Sequence, residues 1–241
     1  MKGIILAGGT GSRLWPLTKT VSKQLLPIYD KPLIYYPLST LMLADIRDIL
    51  IITTPQDLQD FQKLLGNGKS LGISISYATQ PKPEGIAQAL IIAEKFIDGN
   101  AIALILGDNI FYGPGLGRSL AKISPSEGAT IFGVEVRDPE RYGVIEISVN
   151  GKVLSIEEKP TNPKSNVVIP GLYFFDSSVS SRARKVTKSA RGEYEITSVI
   201  SSYLEDGSLQ VRELKEGTAW MDCGTVQTMN EATNFIKFIE E

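Results

Sequence analysis

The run Ile4-Ile5-Leu6-Ala7, closing in Gly8-Gly9-Thr10-Gly11 and followed by Arg13 and Lys23, constrains this chain most. A short continuous apolar segment reads as a buried strand, and the cluster of glycines reads as a tight turn at its carboxyl end. Glycine adopts positive φ and lets a ligand approach the main chain, so successive N–H groups can converge on an anion. Arg13 then offers a bidentate grip on phosphate oxygens, and Lys23 adds a point charge. Two widespread glycine loops do not fit. A dinucleotide fingerprint needs glycine at position 14, which is Leu14, and a P-loop needs Gly-Lys-Ser/Thr where this chain has Gly11-Ser12-Arg13. A plain strand–turn with solubilising charges remains the alternative at this point.

Apolar runs alternate with helical patterns through the first half. Ile4–Ala7, Ile49–Thr53, Ile73–Tyr77, Ala101–Leu106 and Thr130–Val134 read as strands, with helices near Leu38–Ala44, Leu58–Leu65 and Ile86–Phe96. That alternation predicts an α/β fold, a parallel sheet flanked by helices, with ligands beyond the carboxyl ends of the strands. Gly8 to Arg13 and Gly107-Asp108-Asn109 both lie at such ends. After Arg141 the pattern changes. Gly143–Val149 alternates with period two, turns at Asn150-Gly151 and returns as Lys152–Glu158, a β-hairpin signature. A strand at Leu172–Phe175 and helices near Glu195–Tyr203 and Val226–Ile239 follow. Met229, Ala232, Phe235, Ile236 and Ile239 keep helical spacing, so the last helix is expected to pack on the core. No linker or repeat interrupts the chain, which reads as one domain over 1–241. Within it, the strand–helix alternation occupies 1–140, the changed pattern 141–222, and a terminal helix 223–241.

The chain has 241 residues and a formal net charge of −2, which argues against general binding to nucleic acid or to a membrane surface. Any polyanion must be held by a local cluster. The single cysteine, Cys223, has no intrachain partner, and no segment reads as a signal peptide or a membrane span, so a cytoplasmic protein is expected. There is no histidine. The commonest general base and the commonest zinc ligand are thereby removed, leaving carboxylates, lysine, arginine and a hard cation to carry any chemistry.

Asp108, just past a buried strand, is placed to hold a divalent cation against a nucleotide, or else is an ordinary loop acid. Asp222 is its candidate partner, or equally a cap for the helix starting near Thr225. Two aspartates with waters and phosphate oxygens would suit Mg²⁺. On the returning hairpin strand, period two puts Leu154, Ile156 and Glu158 on one face. A carboxylate in that row either meets a desolvation penalty or holds a ligand such as a run of sugar hydroxyls, unless the strand end frays into water. Its neighbour Lys159 can turn toward a sugar phosphate. Gln80, in Gln80-Pro81-Lys82-Pro83-Glu84-Gly85, offers the donor and acceptor that a pyrimidine edge needs, with Gly85 giving backbone access. The same segment also reads simply as loop punctuation.

Taken together, these residues resemble the sugar nucleotidylyltransferases and, within them, the glucose-1-phosphate thymidylyltransferases. The resemblance runs through essentially the whole chain: Leu6-Ala7-Gly8-Gly9-x-Gly11-x-Arg13-Leu14-x-Pro16-Leu17-Thr18, Ser22-Lys23-Gln24-Leu25-Leu26-Pro27, and Asp30 to Thr40. It continues through Leu106-Gly107-Asp108-Asn109, Asp138-Pro139-Glu140-Arg141-Tyr142-Gly143, Glu157-Glu158-Lys159-Pro160, Gly171-Leu172-Tyr173-Phe174 and Trp220-x-Asp222-x-Gly224-Thr225. It implies a Rossmann-like mixed, mainly parallel sheet with a β-hairpin sugar-binding insertion, assembled as a homo-oligomer, a dimer or tetramer. It implies that Leu6, Gly8, Gly9, Thr10, Gly11, Arg13, Lys23, Gln24, Gln80, Gly85 and Asp108 bind dTTP. Tyr142, Gly143, Glu158, Lys159, Ile169, Gly171, Tyr173 and Trp220 would hold glucose 1-phosphate, and Asp108 and Asp222 would carry Mg²⁺. Arg13, Lys23 and Asp108 are the implied catalytic set.

Such a reaction explains the missing histidine. A sugar phosphate is mostly dianionic at neutral pH, its second pKa being about 6, and attacks the α-phosphorus without a general base. Alignment of two anions and relief of their charge are what the protein must supply. Three departures from the family pattern stand out. Ile169-Pro170 precedes Gly171 where a smaller residue and a hydroxyl are frequent, Cys223 replaces a frequent threonine, and the sequence stops at Glu241. Many relatives add a C-terminal helical segment that helps form a feedback site, so this sequence is expected to be a short form. A uridylyltransferase with the same phosphate machinery, and a non-catalytic nucleotide-sugar sensor, are the rival readings. The sensor should have lost a cation or an acid, and Arg13, Lys23, Asp108 and Asp222 are all present.

Overall fold

Ile4, Ile5 and Ala7 are fully buried in β1 (Lys2–Ala7), as a continuously apolar strand requires. The computed structural model describes every residue except Thr10, Ser124 and Ser126. Thr10, expected at the nucleotide, therefore lies outside the described residues. After β1 come β2 (Pro27–Ile28), β3 (Lys31–Pro32), α1 (Tyr35–Leu43), β4 (Asp48–Thr53), α2 (Leu58–Leu65) and β5 (Ser74–Thr79). Then follow α3 (Ile86–Ile92), α4 (Glu94–Ile97), β6 (Ile102–Leu106), β7 (Asn109–Tyr112), α5 (Leu116–Leu120) and β8 (Ala129–Glu135). The hairpin strands are β9 (Gly143–Ile147) and β10 (Val153–Glu158), followed by β11 (Val167–Val168) and β12 (Leu172–Phe175). The chain closes with α6 (Val179–Ala183), α7 (Ile196–Glu205), β13 (Leu209–Glu213), β14 (Ala219–Asp222) and α8 (Val226–Glu240).

The chain forms two compact units. The first comprises Lys2–Pro83, Ile105–Lys122 and Gly217–Glu241. Here β1, β4 and β5 pair in parallel, Leu6 opposite Ile52 and Ile51 opposite Tyr77. The end of β6 belongs to the same unit, and Gly107 N–H donates to Leu6 O at 2.9 Å. Gly8 and Gly107 both lie at carboxyl ends, as the strand pattern predicts, and this hydrogen bond makes them neighbours. The apolar stripe of α8 packs Met229, Ala232 and Ile236 against Leu14, Ile28, Leu33, Ile110 and Cys223. Leu14 anchors the glycine loop in that cluster, so the loop is fixed by hydrophobic burial just beyond Arg13.

The second unit comprises Glu84–Leu104 and Ile123–Glu216, with Met1. Its strands run β10-β9-β11-β8-β12-β6, with β13 also on β8. The pairs β10/β9, β11/β8 and β12/β8 are antiparallel, and β13/β8 is parallel. Parallel and antiparallel ladders with flanking helices make this the α/β, Rossmann-like mixed-sheet fold. The hairpin forms as predicted, with Gly151 at φ +76° in its turn. One detail differs. The β10/β9 register shifts between Val153 and Ser155, and Leu154, expected on the face of Ile156 and Glu158, is 53% exposed instead. An irregularity of this kind turns the strand and breaks the alternation N-terminal to it, while Ile156 and Glu158 keep their common face. The helix expected over Ile86–Phe96 is likewise interrupted at Ala93, where ψ is −5°.

Candidate active site

In the first unit, Gly9 and Gly11 take φ of +111° and +57°. A methyl group on Gly11 would press within 3.1 Å of Thr18, whose hydroxyl donates to the Gly11 carbonyl at 2.7 Å. Positive φ and lack of room together demand glycine here. The loop then makes one tight turn, Ser12–Leu14, which leaves Arg13 exposed and Leu14 buried.

Gln24 and Gln80 are both 4% exposed. A methyl group on Gly8 would lie 3.1 Å from Gln80 Oε1, and one on Gly107 would lie 3.0 Å from Gln24 Cγ. The two strand-end glycines therefore make room for the two amides. Ser22 Oγ donates to Gln24 Oε1 at 2.8 Å, which fixes that amide's orientation.

Lys23 forms an ion pair with Asp108 Oδ2. Asn109 Nδ2 donates to the other oxygen, Oδ1, at 2.8 Å, and Trp220 Nε1 donates to Asn109 Oδ1 at 2.6 Å. Burial alone would push the Asp108 carboxyl up, but Lys23, with Asn109 and a backbone N–H, outweighs it and holds the group below its ordinary range.

The aspartates are brought together by strand pairing. β14 runs antiparallel to β7 with Asp222 opposite Asn109, and Cys223 N–H donates to Asp108 O at 2.9 Å. A methyl group on Gly224 would lie 3.1 Å from both Asp222 carboxylate oxygens and 3.3 Å from Arg13 Nη2, so Arg13 and Asp222 face one another across that glycine. The Cys223 thiol is pushed up to about 12, first by burial and then by Asp108 and Asp222, which makes it inert. Asp222 does not cap α8. Thr225 does, its hydroxyl accepting from Thr228 N–H at 3.2 Å while Thr228 Oγ1 accepts from Thr225 N–H at 3.1 Å.

Among the described residues no group of three or more histidine, cysteine or acidic side chains surrounds one point. Magnesium usually takes only one or two carboxylates and completes its shell with water and substrate phosphate. Asp108 and Asp222, on adjoining backbone segments and offering hard oxygen donors, fit that requirement.

In the second unit, Gly143 is the hub. A methyl group there would lie 2.8 Å from Thr197 Cγ2, 3.6 Å from Glu158 Oε2 and 3.6 Å from Ile169 Cδ1. Ile169 N–H donates to Gly143 O at 2.8 Å, and Lys159 N–H to Tyr142 O at 2.9 Å. Tyr142, Gly143, Glu158, Lys159 and Ile169 are thereby brought together. Lys159 holds φ of +44°, an uncommon conformation for a residue with a side chain. The Glu158 side chain is only 17% exposed. Burial, with Glu195 adding to it, pushes its carboxyl above the ordinary range, while Lys159, Thr197 and Arg191 pull it back incompletely. Gly171 leads into β12, and Tyr173 is buried within it, stacked on Phe175.

Trp220, grouped with the sugar residues, stands on β14 in the first unit and donates to Asn109. Gly85, grouped with the nucleotide residues, is in the second unit against the main chain of Tyr194. Three residues that the sequence reading passed over join the sites. Asn109 orients Asp108, Thr197 abuts Gly143, and Arg191 Nη1 stands 3.4 Å from Glu158 Oε1 and 3.5 Å from Glu195 Oε1. The only local signal for Arg191 is its place before a turn glycine in a charged stretch.

A glycine-lined turn at a strand end, with Lys23 paired to Asp108 and with Arg13 and Asp222 both beside Gly224, suits a protein that handles nucleotide phosphates. The family model described as "Nucleotidyl transferase" matches residues 2–238, and the chain belongs to that family. Within it the chain stands with the glucose-1-phosphate thymidylyltransferases. A protein of that name from Mycobacterium tuberculosis (strain ATCC 25618 / H37Rv) is 55% identical over 240 residues, spanning 100% of this chain and 83% of the relative. One from Neisseria meningitidis serogroup A is 54% identical over 241 residues, spanning 100% and 84%. A Bacillus anthracis crystal structure bearing the same name, in complex with sucrose, superposes with a TM-score of 0.89 at 42% identity, covering 98% of this chain and 94% of that one. A UDP-glucose pyrophosphorylase with bound UDP-glucose superposes at 0.85 with 24% identity, covering 99% and 98%, and shares the fold. No helix among the described residues is long and apolar enough to cross a membrane.

Proposed function

We propose that the protein transfers a thymidylyl group from dTTP to glucose 1-phosphate, giving dTDP-glucose and pyrophosphate, with Mg²⁺ required. The observation that carries this reading is the pairing of Lys23 with Asp108 beside the glycine loop, with Arg13 and Asp222 gathered around Gly224 in the same unit. Similarity over the whole of this chain, and over 83% and 84% of two proteins named for this reaction, supports it.

One oxygen of the acceptor phosphate forms a bond to the α-phosphorus. The bond from that phosphorus to the α–β bridging oxygen breaks, and pyrophosphate leaves with the electron pair. No proton need be removed, because the attacking phosphate is already ionised, which suits a site without histidine. Gly8, Gly9, Gly11, Arg13 and Lys23 bind the triphosphate through main-chain N–H groups and positive charge, and Gln24, Gln80 and Gly85 meet the thymine. Glu158 accepts hydrogen bonds from sugar hydroxyls in the niche beside Gly143. Lys159 and Arg191 draw in the acceptor phosphate. Asp108 and Asp222 would hold the magnesium ion, which when bound supplies charge neutralisation at the phosphates. The chain's contribution is alignment and electrostatics, as at other phosphate-transfer sites.

We place the enzyme in the cytoplasm as a homo-oligomer, with residues 1–140 mainly serving the nucleotide and 141–222 mainly the sugar phosphate. Incubation with dTTP, glucose 1-phosphate and Mg²⁺, followed by measurement of pyrophosphate, tests the reaction. Release dependent on all three supports it, and absence of release refutes it.

A further inference from the structure

The segment from Arg182 to Arg191 carries the cations Arg182, Arg184, Lys185, Lys188 and Arg191 and no acid, in a chain whose formal net charge is −2. All but one of them are committed to acids in the second unit. Arg184 pairs with Glu94, Lys188 with Glu84, and Arg191 with Glu158 and Glu195, while Arg182 Nη2 stands 2.5 Å from Asp206 Oδ2. Lys185 is exposed and has no ion pair among the described residues.

Lys185 lines a cleft of about 490 Å³ between α6 and α7. That volume lies within the range of small-molecule sites, roughly 300–1,000 Å³. Ser181 and Arg182 of α6, Thr187 beyond it, and Ser198 and Ser202 of α7 form the walls, and Asp206 stands at one end. The cleft is separate from the sugar niche. Thr197 is buried against Gly143, whereas Ser198, the next residue of α7, is exposed on the cleft.

Its polar groups divide into donors and acceptors. Arg182 Nε donates to Ser178 Oγ at 3.0 Å, Nη1 to Ser202 O at 3.0 Å and to Ser202 Oγ at 3.2 Å, and Nη2 to Asp206 Oδ2. The guanidinium also lies 3.8 Å from the centre of the Tyr203 ring, so it is held rigidly. A guanidinium has five N–H donors, and these bonds leave one for a ligand. Lys185 Nζ and the hydroxyls of Thr187 and Ser198 are likewise uncommitted among the described residues. By contrast, Ser181 Oγ already donates to Ser178 O and Ser202 Oγ to Val199 O, both at 2.7 Å, so these oxygens can only accept further bonds. Asp206 is an acceptor as well.

We infer that this cleft is a binding site for a phosphorylated polyol, a small sugar phosphate in chemical class. Its phosphate meets Lys185, the remaining Arg182 N–H and the hydroxyls of Thr187 and Ser198, while its own hydroxyls donate to Ser181, Ser202 and Asp206. Asp206 compensates Arg182, so the cleft holds a single uncompensated cation. That suits one phosphate group and not a polyanion such as a triphosphate or a nucleic acid.

Equilibrium dialysis of labelled glucose 6-phosphate against the full chain, with saturating dTDP-glucose to fill the substrate site, tests the inference. The expected result is saturable binding that dTDP-glucose does not displace. Lys185→Met should weaken it about 10-fold, the cost of one hydrogen bond between charged groups, and Lys185→Arg should keep most of it. Inorganic phosphate and glucose, each lacking half of the recognised groups, should bind at least about 10-fold more weakly than the sugar phosphate. Absence of saturable binding overturns the inference, as do displacement by dTDP-glucose and undiminished binding in Lys185→Met. Inorganic phosphate or glucose binding as tightly as the sugar phosphate overturns it too. Lys185 is exposed, so its replacement leaves the fold intact. Dependence on Lys185 reads the cleft whether or not dTDP-glucose binds, so failure of the proposed function would be seen separately.

Discussion

Lys23 and Asp108, 85 residues apart in sequence, form an ion pair in which each side chain is largely shielded from water, at 13% and 17% exposure. The pair joins the cation that follows the glycine loop to the acid just beyond β6. Lys23→Ala should lower kcat by about 10²–10³-fold, the usual loss for one preorganised charge partner. It should also alter acid stability. The Asp108 carboxyl lies below its ordinary value of 3.8 in the folded chain, so its contribution is present above that value and lost as pH falls through the folded one. Melting curves of native chain and variant should therefore differ at neutral pH and converge in strong acid.

Asn109 is buried and bonded on both sides, to Asp108 and to Trp220. Asn109→Ala should weaken Mg²⁺ binding by about 10–100-fold, the common cost of removing a group that orients a metal ligand. A magnesium titration of the initial rate measures this, and an unchanged half-saturation would show that Asn109 does not orient Asp108.

Glu158 is held at a cost to stability, since burial first of all disfavours its charge. Its folded pKa is raised, so the stability it contributes is full below the ordinary glutamate value of 4.5 and lost as pH rises through the folded value. Glu158→Gln should melt higher than the native chain at neutral pH, and that advantage should disappear in acid. The same change should raise KM for glucose 1-phosphate by about 10-fold or more, the worth of a hydrogen bond to a charged acceptor.

Thr225 and Asp222 separate structure from chemistry within four residues. Thr225→Ala removes the cap of α8 and should cost about 1 kcal/mol of stability by denaturant titration, with little change in magnesium requirement. Asp222→Asn should do the reverse. Matching effects from the two variants would argue against a metal role for Asp222.

Thymine and uracil present the same hydrogen-bonding edge and differ by one methyl group. Side-by-side kinetics should show dTTP favoured about 10-fold over dUTP, which lacks only that methyl, the value of one methyl in an apolar pocket, with detectable use of UTP, which differs further by its 2′-hydroxyl. A rate on CTP above that on dTTP would overturn the base assignment.

The glycine loop, the strands beginning at Ile4, Ile49 and Ala101, the hairpin turning at Asn150-Gly151 and the final helix were all legible in the chain. Each is written locally, as an apolar period, a turn glycine or a cap, and neighbours in sequence suffice to specify it. Glu158 was legible too, because a carboxylate in an apolar row stands out even where Leu154 breaks that row. Tertiary structure alone decided which distant pieces meet. Asn109–Tyr112 and Ala219–Asp222 are short runs with no strong period, and their pairing places Asp222 beside Asp108 and gives Trp220 to Asn109, 111 residues away. Arg191 became visible only when its loop folded back on Glu158 and Gly85. Such pairings depend on which surfaces are buried together and on which buried polar atoms find partners. Those are properties of the folded chain, and no local stretch of sequence contains them.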